Sequence, residues 1–285
     1  MTSDEYCQDK AAKSGSSFYY SFRFLPEQQR QAIIALYAFC REVDDTVDEI
    51  SDKELAATKL EWWRNEIILT FKGEATHPVG KSLQSALENF DLHEEYFMEI
   101  IDGMAMDLDQ FTYPSFKNLA LYCHRAASVV GLLSVEIFGY QDRATLKYAE
   151  NLGMALQLTN IIRDVREDAE RGRIYLPQDE LDKYNVKADD LFNLKSSPEL
   201  IELLKFQTER AKTYYQKAMQ ALPDCDRYSQ RTGLIMAAIY EATLDEIEKD
   251  GFGVMQRRIS LTPLRKLWLA WRTARREKRL HRQQK

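Results

Sequence analysis

The chain has 285 residues, 45% of them hydrophobic and 29% charged, the balance of a globular protein rather than a disordered one. Eleven Gly and seven Pro leave few helix breakers. The most apolar stretch, 126–140, is shorter than a membrane span of about 18 residues and contains Glu136, and the first 25 residues lack a basic start followed by an apolar core. We therefore expect neither a transmembrane helix nor a signal peptide.

Charge and cysteine usage bound the protein further. Residues 257–285 contain eleven Lys/Arg and one acid, a net +10 within a chain total of −6, so the other 256 residues carry −16. A basic tail on an acidic body predicts an anionic surface as the partner of the tail. The cysteines form no CxxC pair and are expected to be reduced thiols of a cytoplasmic protein: Cys7, Cys40, Cys123 and Cys225.

Helical periodicity dominates the chain. A helix is predicted from Leu25 to about Glu49, because Pro26 is tolerated in a first turn and apolar residues recur every three or four positions. Further helices are predicted over 55–71, 79–89, 94–108, from 116 onwards, 144–170, 199–222 and 230–249. Breaks or loops are predicted at 112–115, 170–181 and 185–198. No convincing strand pattern occurs, so the prediction is an all-α protein with one domain over 1–255 and a basic amphipathic tail over 256–285.

Two acidic stripes stand out from the helical pattern. In the first, Asp44 and Asp48 share one helix face, Asp45 lies close to it, and Arg41 precedes them by one turn. No lysine dilutes the like charges, as it usually does on a solvated face. In the second stripe Asn160, Asp164 and Asp168 follow one another at intervals of four, extended by Gln157 and flanked by Arg163, on a helix whose other faces are apolar.

Two carboxylate-bearing helices that face each other would bind hard cations such as Mg²⁺, which prefers oxygen ligands and shares phosphate oxygens with a substrate. The four histidines are scattered, which argues against zinc or iron. Arg41, Arg163 and Arg173 offer planar donors suited to phosphate. Each stripe alone is compatible with a solvated helix face. Together, with Tyr37 beside the first, they indicate a diphosphate site.

These motifs resemble the squalene/phytoene synthase family of head-to-head prenyl transferases, over residues about 14–255. The resemblance runs through SSFYYSFRFLP, ALYAFCREVDDTVDE, YCHRAASVVG, QLTNIIRDVREDAERGRIYLP and MAAIYEATLDEI. An Asn-led second motif followed by GRIYLP fits this family better than the chain-elongating synthases, which usually carry DDxxD twice. Within the family, MDLDQ and GLLSVEIFGY are most similar to the bacterial presqualene diphosphate synthases of hopanoid biosynthesis.

The resemblance implies an isoprenoid synthase fold around a central cavity and a set of site residues. The implied metal ligands are Asp44, Asp48, Asn160, Asp164 and Asp168. The implied catalytic residues are Asp44, Asp45, Asp48, Asp164, Asp168 and Tyr37. The implied substrate-binding residues are Ser17, Phe18, Arg41, Tyr122, Gln157, Asn160, Arg163 and Tyr240. The chain departs from the family where Ser128 replaces a common glycine and where Ser14 replaces a histidine of some relatives.

The implied reaction joins two farnesyl diphosphates into presqualene diphosphate with Mg²⁺, or Mn²⁺ in its place, and without NADPH. Phytoene synthase, acting on two geranylgeranyl diphosphates, and a full squalene synthase are the alternatives within the family, and downstream pathway enzymes are candidate partners. A non-catalytic helical assembly or binding protein is the alternative outside it. Intact metal positions in both stripes argue against that last alternative. The acids Asp107 and Asp109 are interpreted as structural or surface residues.

The basic tail carries an apolar ridge, with Leu264, Leu267, Trp268 and Trp271 at helical spacing among arginines and lysines. This pattern is typical of a helix that lies on an anionic membrane. It predicts a protein bound peripherally to the inner face of the cytoplasmic membrane. The alternative is a solvated helix whose two Trp pack on the body. Nucleic acid is not expected as a partner, because the acidic body would repel it.

Overall fold

The structure is a computed structural model that describes residues 1–13 and 21–284. Every regular element in these two ranges is helical, and the β interaction among them is an isolated bridge between Thr112 and Ile174. The all-α prediction is confirmed. The helices are α1 Ser3–Lys13, α2 Glu27–Glu49, α3 Lys53–Lys72, α4 Pro78–Leu87, α5 Glu94–Asp109, α6 Phe116–Cys123, a π turn His124–Ser128, α7 Val129–Phe138, α8 Ala144–Arg163, α9 Val165–Glu170, α10 Gln178–Lys183, α11 Ala188–Phe192, α12 Pro198–Ala221, α13 Arg231–Lys249, a 3₁₀ turn Gly253–Met255 and α14 Pro263–Gln284.

Helix boundaries follow local chemistry where capping residues are present. Pro26 immediately precedes α2, as the sequence predicted to within two residues. Asp52 caps α3, because its side chain accepts hydrogen bonds from the backbone N–H groups of Glu54 at 2.9 Å and Leu55 at 3.1 Å. Gly73 closes α3 in the left-handed conformation, with φ 82°. The first acidic stripe lies in the last turns of α2, immediately before α3 begins.

The predicted helix over 144–170 is broken at Asp164, which has φ −104° and ψ 14°. Arg163 donates to the carboxylate of Asp164, its immediate neighbour, with Nε 2.7 Å from Oδ1. Adjacent side chains do not face each other on a regular helix, so this contact requires the local departure from helical geometry. The second acidic stripe therefore spans two helices, α8 and α9, rather than one.

Two loops also differ from the sequence prediction. The predicted connection over 185–198 contains the short helix α11, and the predicted loop over 170–181 ends at Pro177, where α10 begins. Pro177 is well placed immediately before a helix, since its missing N–H costs nothing there. The remaining loop, 171–177, is pinned by backbone bonds from Ile174 to Phe111 and from Gln178 to Tyr113, both 2.8 Å.

The hydrophobic core has two main parts that meet at the candidate site. One part is built on α2 to α5 and α7, where Phe39 contacts Trp63 and Phe97 with ring centroids 5.8 and 5.4 Å apart. The other part is built on α8, α12 and α13 and contains Ile162 and Leu204. The π turn lies between the two parts and packs against both α5 and α8.

Two observations bear on the predictions about a membrane span and about the cysteines. Among the described residues, one helical stretch, Phe116–Phe138, is long and apolar enough to cross a bilayer, and half of its apolar window is buried within the protein. A core helix has the same composition, so this is weak support for a span. All four cysteines are free thiols, as the sequence predicted.

The basic tail forms α14, which packs along α13 rather than extending away from the body. Ala270 is fully buried, and the buried Glu277 accepts a hydrogen bond from Arg227 at 2.9 Å. His281 stacks on Tyr228 with ring centroids 4.4 Å apart. These contacts use one face of the helix and leave the apolar ridge of the opposite face at the surface.

Candidate active site

The first acidic stripe is held by arginine and lysine on the inner side of α2. Arg41 reaches forward along the helix and donates to one oxygen of Asp44 and one of Asp45. The second oxygen of Asp45 lies 2.9 Å from Lys10 Nζ of α1. Asp45 is thus directed toward α1, while Asp44 remains half-buried beside Asp48.

The loop after the second stripe closes on the first stripe through Asp48. Arg171 Nη1 donates to Asp48 Oδ2 at 2.7 Å, and Arg173 Nη1 donates to Asp48 Oδ1 at 2.6 Å. Arg173 also donates to the carbonyl oxygen of Val47 at 3.0 Å. Because Arg171 and Arg173 follow Asp168 by three and five residues, these bonds bring the two acidic stripes to the same site. Arg171 had no predicted role.

The second stripe lines the facing side of the site from α8 and α9. Asn160 Nδ2 donates to Gln157 Oε1 at 3.2 Å, whereas the buried Asn160 Oδ1 has no hydrogen-bond partner among the described residues. Asp164 is held by Arg163 on one side and by Arg258, whose Nη2 lies 3.2 Å from Oδ1, on the other. A buried oxygen without a donor is costly, so Asn160 Oδ1 is available to accept a bond from a ligand.

Two predicted tyrosines connect the facing walls of the site. Tyr240 on α13 is buried and hydrogen-bonds with Arg163 of the second stripe. Tyr37 on α2 lies near both Arg41 and Tyr240, and its ring meets Phe22 edge-on at a centroid distance of 6.0 Å. The structure therefore brings Tyr37 and Tyr240 near arginines of the two stripes, and their roles at the site stay predictions.

The third predicted tyrosine belongs to a buried cluster that the sequence interpretation missed. Tyr122 donates to Asp107 Oδ2 at 3.0 Å, and Tyr175 donates to Asp107 Oδ1 at 2.8 Å. Asp107 is only 4% exposed, so it is not a surface residue, in contrast to Asp109, which pairs with Lys53 at the surface. Phe97, Ile100, Met104 and Asp107 recur at intervals of three or four on α5, so the helical period was the signal that separates the buried Asp107 from Asp109.

Burial and mutual repulsion raise the pKa of three site carboxyls. Burial, and then the charge of Asp48, raise the pKa of Asp44 to about 6. Burial, and then the charge of Asp164, raise the pKa of Asp168 to about 8. Burial also raises the pKa of Asp107 to about 7, although Arg173 and the two tyrosines oppose that shift. The site thus concentrates negative charge that the arginines alone do not fully compensate.

Comparison with known proteins identifies the family to which the chain belongs. The sequence profile of the squalene/phytoene synthase family matches residues 11–265. The chain belongs to the squalene/phytoene synthase family. It is 39% identical over 257 residues to a phytoene synthase of Mycobacterium tuberculosis, covering 89% of this chain and 84% of that one. It is 36% identical over 271 residues to a presqualene diphosphate synthase of Zymomonas mobilis, covering 94% of this chain and 91% of that one.

Solved structures agree with the family and with the predicted isoprenoid synthase fold. A dehydrosqualene synthase in complex with a ligand superposes with a TM-score of 0.87 at 26% identity, covering 97% of this chain and 96% of that one. A squalene synthase from Alicyclobacillus acidocaldarius superposes with a TM-score of 0.78 at 26% identity, covering 88% and 94%. This squalene/phytoene synthase family member is therefore a prenyltransferase for head-to-head condensation.

Squalene/phytoene synthases use a divalent metal to bind diphosphate, and the residues here fit such an ion. The side chains of the two stripes offer oxygen atoms, which hard cations prefer, and Asn160 Oδ1 is a buried oxygen still without a partner in the described part of the chain. No three carboxylate, histidine or cysteine side chains of the described residues form a ready metal cluster. Arginines instead hold Asp44, Asp48 and Asp164. The assignment of individual ligands stays a prediction.

The remaining predicted positions divide into two groups. Ser17, Phe18 and the departure at Ser14 lie outside the described residues. Ser128, the other departure from the family pattern, is buried in the π turn, where its hydroxyl donates to the carbonyl oxygen of Glu150 at 2.9 Å. Its polar atom is therefore used in the packing of the π turn on α8.

Proposed function

We propose that this chain condenses two farnesyl diphosphates into presqualene diphosphate with release of one diphosphate. The observation that carries the proposal is the meeting of two acidic stripes, from the two halves of the core, at one arginine-rich site backed by buried tyrosines. Such a site offers oxygen ligands for a metal ion, planar donors for a diphosphate and buried aromatic side chains near both. The sequence similarity to presqualene diphosphate synthases supports the substrate.

The charged residues would share the work of binding and activating the diphosphate. Asp44 and Asp48 on one side, and Asn160, Asp164 and Asp168 on the other, would hold Mg²⁺, with Mn²⁺ as the alternative. When bound, the metal neutralises the diphosphate and makes it a better leaving group. The arginines that now pair with these carboxylates are donors of the planar geometry that matches phosphate oxygens. They are Arg41, Arg163, Arg171 and Arg173.

The apolar and aromatic residues would protect the allylic cation that forms when diphosphate leaves. Tyr122 and Tyr240 are buried, and Tyr37 is half-buried against Phe22. Aromatic faces attract a cation with about 0.5–2 kcal/mol each, most where water is excluded. A dry wall also prevents water from capturing the cation before the second substrate attacks it. The family resemblance adds Phe18 to the aromatic residues proposed to stabilise the cation.

The main alternative within the family is phytoene synthase, which the 39% identity to phytoene synthases favours. The relatives carry both names, so the length of the prenyl chain is the point at issue. A full squalene synthase would also reduce the cyclopropyl intermediate with NADPH, which we do not expect here.

The experiment is a product assay with the purified protein. Farnesyl or geranylgeranyl diphosphate would be supplied with Mg²⁺, with and without NADPH, and the products identified by mass spectrometry. We expect presqualene diphosphate from farnesyl diphosphate without NADPH. Squalene formed only with NADPH would identify a full squalene synthase, and phytoene would identify the geranylgeranyl enzyme. Absence of turnover of either substrate would favour the non-catalytic binding protein.

Matched variants make the same assay a test of the site. Asp48→Ala and Asp168→Ala should each lower kcat by at least about 10²-fold, since each removes a charge that holds the metal. Asp109→Ala is the control, because this acid is 70% exposed and pairs only with a surface lysine. Loss of activity in Asp109→Ala, with activity kept in Asp48→Ala and Asp168→Ala, would contradict the assignment of the metal site to the two stripes.

We also propose that α14 binds an anionic membrane surface. Its outward ridge leaves Leu264 79% exposed and Trp268 and Trp271 about half exposed, while Arg272 and Arg275 lie over the two indole rings at 5.1 and 5.2 Å. Amphipathic helices with aromatic and basic residues bind the headgroup region, and each basic residue contributes about 1 kcal/mol.

The first turn of α14 also lies next to the second acidic stripe. Burial and the charges of Arg163 and Arg258 lower the pKa of Lys266. A membrane bound to α14 would therefore lie close to the diphosphate end of the site, which suits an amphiphilic substrate and a lipid product.

Vesicle flotation tests this surface. The full chain should float with phosphatidylglycerol vesicles and much less with phosphatidylcholine vesicles, and high salt should release it. The double variant Trp268→Ala, Trp271→Ala should lose at least about tenfold in partitioning, whereas Trp62→Ala, which removes a 42% exposed Trp from α3, should not. Equal binding of the double variant and the wild type would refute the surface.

A further inference from the structure

A buried carboxylate lies near Asp48 and Asp168 of the two acidic stripes, and among the described residues its hydrogen bonds come from tyrosines. Asp107 accepts one hydrogen bond on each oxygen, from Tyr175 at 2.8 Å and from Tyr122 at 3.0 Å. The three side chains are 4%, 7% and 5% exposed. The two hydroxyl oxygens also lie 3.5 Å from each other, so the ionised carboxylate is the nearer acceptor for both phenolic protons.

The tyrosines of this cluster form a stack with a third ring. Tyr122 and Tyr175 stack with centroids 5.0 Å apart, and Tyr113 lies 5.8 Å from Tyr175 at an interplanar angle of 21°. Tyr113 is fully buried, and its hydroxyl has no partner among the described residues. The Asp107 carboxylate thus lies at the edge of a compact aromatic wall formed by Tyr113, Tyr122 and Tyr175. Its hydrogen bonds help to fix the positions of Tyr122 and Tyr175.

The chain connects this wall directly to the diphosphate site. Tyr175 follows Arg173 by two residues, and Arg173 donates to Asp48 of the first stripe. Asp168 of the second stripe, Arg173 and Tyr175 line the same small cavity. The backbone bond from Gln178 to Tyr113 keeps the loop and the wall in register.

A purely structural role explains this cluster poorly. Burial of a carboxylate without a bound cation costs several kcal/mol, and apolar residues of similar volume generally stabilise such a position as well or better. Arg173 lies near Asp107 but donates its hydrogen bonds to Asp48 and to the carbonyl oxygen of Val47. A phenol that donates to a carboxylate has a more electron-rich oxygen and ring, which is the environment that a developing carbocation requires.

We propose that Asp107 is a positioning residue of the head-to-head condensation. It holds the hydroxyl protons of Tyr122 and Tyr175 away from the substrate and so fixes an electron-rich tyrosine wall beside the departing diphosphate. This role rests on the proposed function but holds for either prenyl chain length, because it concerns the cation that both reactions form. Asp107 does not need to touch the substrate itself.

The test compares Asp107→Asn with Asp109→Asn, an exposed acid on the same helix. Wild type and variants would be assayed for kcat and KM with the prenyl diphosphate that the wild type consumes. Binding of inorganic diphosphate with Mg²⁺ would be measured by calorimetry, and stability by thermal melting. Asp107→Asn should lower kcat by about 10²-fold, as loss of one preorganised electrostatic group does, while the Kd of diphosphate stays within about threefold. Asp109→Asn should match the wild type in all three measurements.

The tyrosine variants decide the case if Asp107→Asn does not fold. The double variant Tyr122→Phe, Tyr175→Phe keeps the rings and removes the hydroxyls, and it should lose kcat to a similar extent. If Asp107→Asn does fold, adding it to this double variant should cost nothing further, because the three groups act as one unit. An Asp107→Asn enzyme within about threefold of wild-type kcat, or a loss of diphosphate affinity equal to its loss of kcat, would overturn the role. A wild type without turnover would refute the proposed function and this role together.

Discussion

Replacement of Gly153 by Ala is expected to separate α8 from the π turn. A Cβ atom at this position would lie 2.5 Å from Ser128 Cα, 2.7 Å from the carbonyl oxygen of Ala127 and 2.8 Å from Ser128 N. All three are backbone atoms, so no side-chain rotation relieves the overlap. The two segments must move apart by roughly 1 Å to restore ordinary contact distances.

The magnitude follows from two opposing effects. Overpacking of a dense core costs about 1–3 kcal/mol, and contacts with backbone atoms lie at the upper end of that range. Ala in place of a mid-helix Gly returns about 1 kcal/mol. The net expectation is a loss of about 2 kcal/mol, or a decrease of about 4–8 °C in Tm for a domain of this size. Asn160 lies two turns further along α8, so the displacement should also reduce Mg²⁺-dependent turnover.

The assay is thermal and urea unfolding of Gly153→Ala beside Lys147→Ala. Lys147 lies on the same helix, is 68% exposed and pairs only with Glu150, so its replacement should change stability by less than about 0.5 kcal/mol. A Gly153→Ala protein as stable and as active as the wild type would show that α8 and the π turn are not in the close contact described above.

Three further outcomes are expected. In metal-free protein the free energy of unfolding should fall as pH rises from about 5 to 8, because the folded state holds a proton on Asp168 that the unfolded state has released; Asp168 alone contributes up to about 1.4 kcal/mol per pH unit, and Asp168→Asn should lower the slope of urea titrations by that amount. Arg173→Gln should weaken Mg²⁺–diphosphate binding by about tenfold in calorimetry, and unchanged affinity would contradict its role. Glu66→Ala should cost about 2–3 kcal/mol in denaturant unfolding, because the buried Glu66 carboxylate holds the turn before α4 by accepting hydrogen bonds from the N–H groups of Thr76 and His77.

The sequence predicted those parts of the molecule that depend on local periodicity. Helix α2 and its stripe of Asp44 and Asp48 follow from the 3.6-residue repeat, and Pro26 and Gly73 mark boundaries that the structure reproduces within two residues. The oxygen-rich face that begins at Asn160 was recognised in the same way. The first stripe belongs to one helix, so no knowledge of tertiary contacts was needed, whereas the structure divides the second stripe between α8 and α9.

The features that the sequence did not predict depend on contacts between distant segments. Asp48 meets Arg171 and Arg173 across more than 120 residues, and no spacing rule connects them. The helical period places Asp107 on the buried face of α5, but its hydrogen bonds join it to Tyr122 and Tyr175, 15 and 68 residues away. The break at Asp164 accompanies its ion pairs with the adjacent Arg163 and with Arg258, 94 residues away, which the helical repeat does not predict.

The central claim is that both acidic stripes hold one metal–diphosphate group. The most direct measurement is a crystal structure with Mn²⁺ and a non-hydrolysable farnesyl thiodiphosphate, with Mn²⁺ located by anomalous scattering. The account predicts Mn²⁺ bound to Asp44 or Asp48 and to Asn160, Asp164 or Asp168 around a single diphosphate, with Arg173 turned to that diphosphate. Mn²⁺ on only one stripe, or a diphosphate bound away from both, would contradict it.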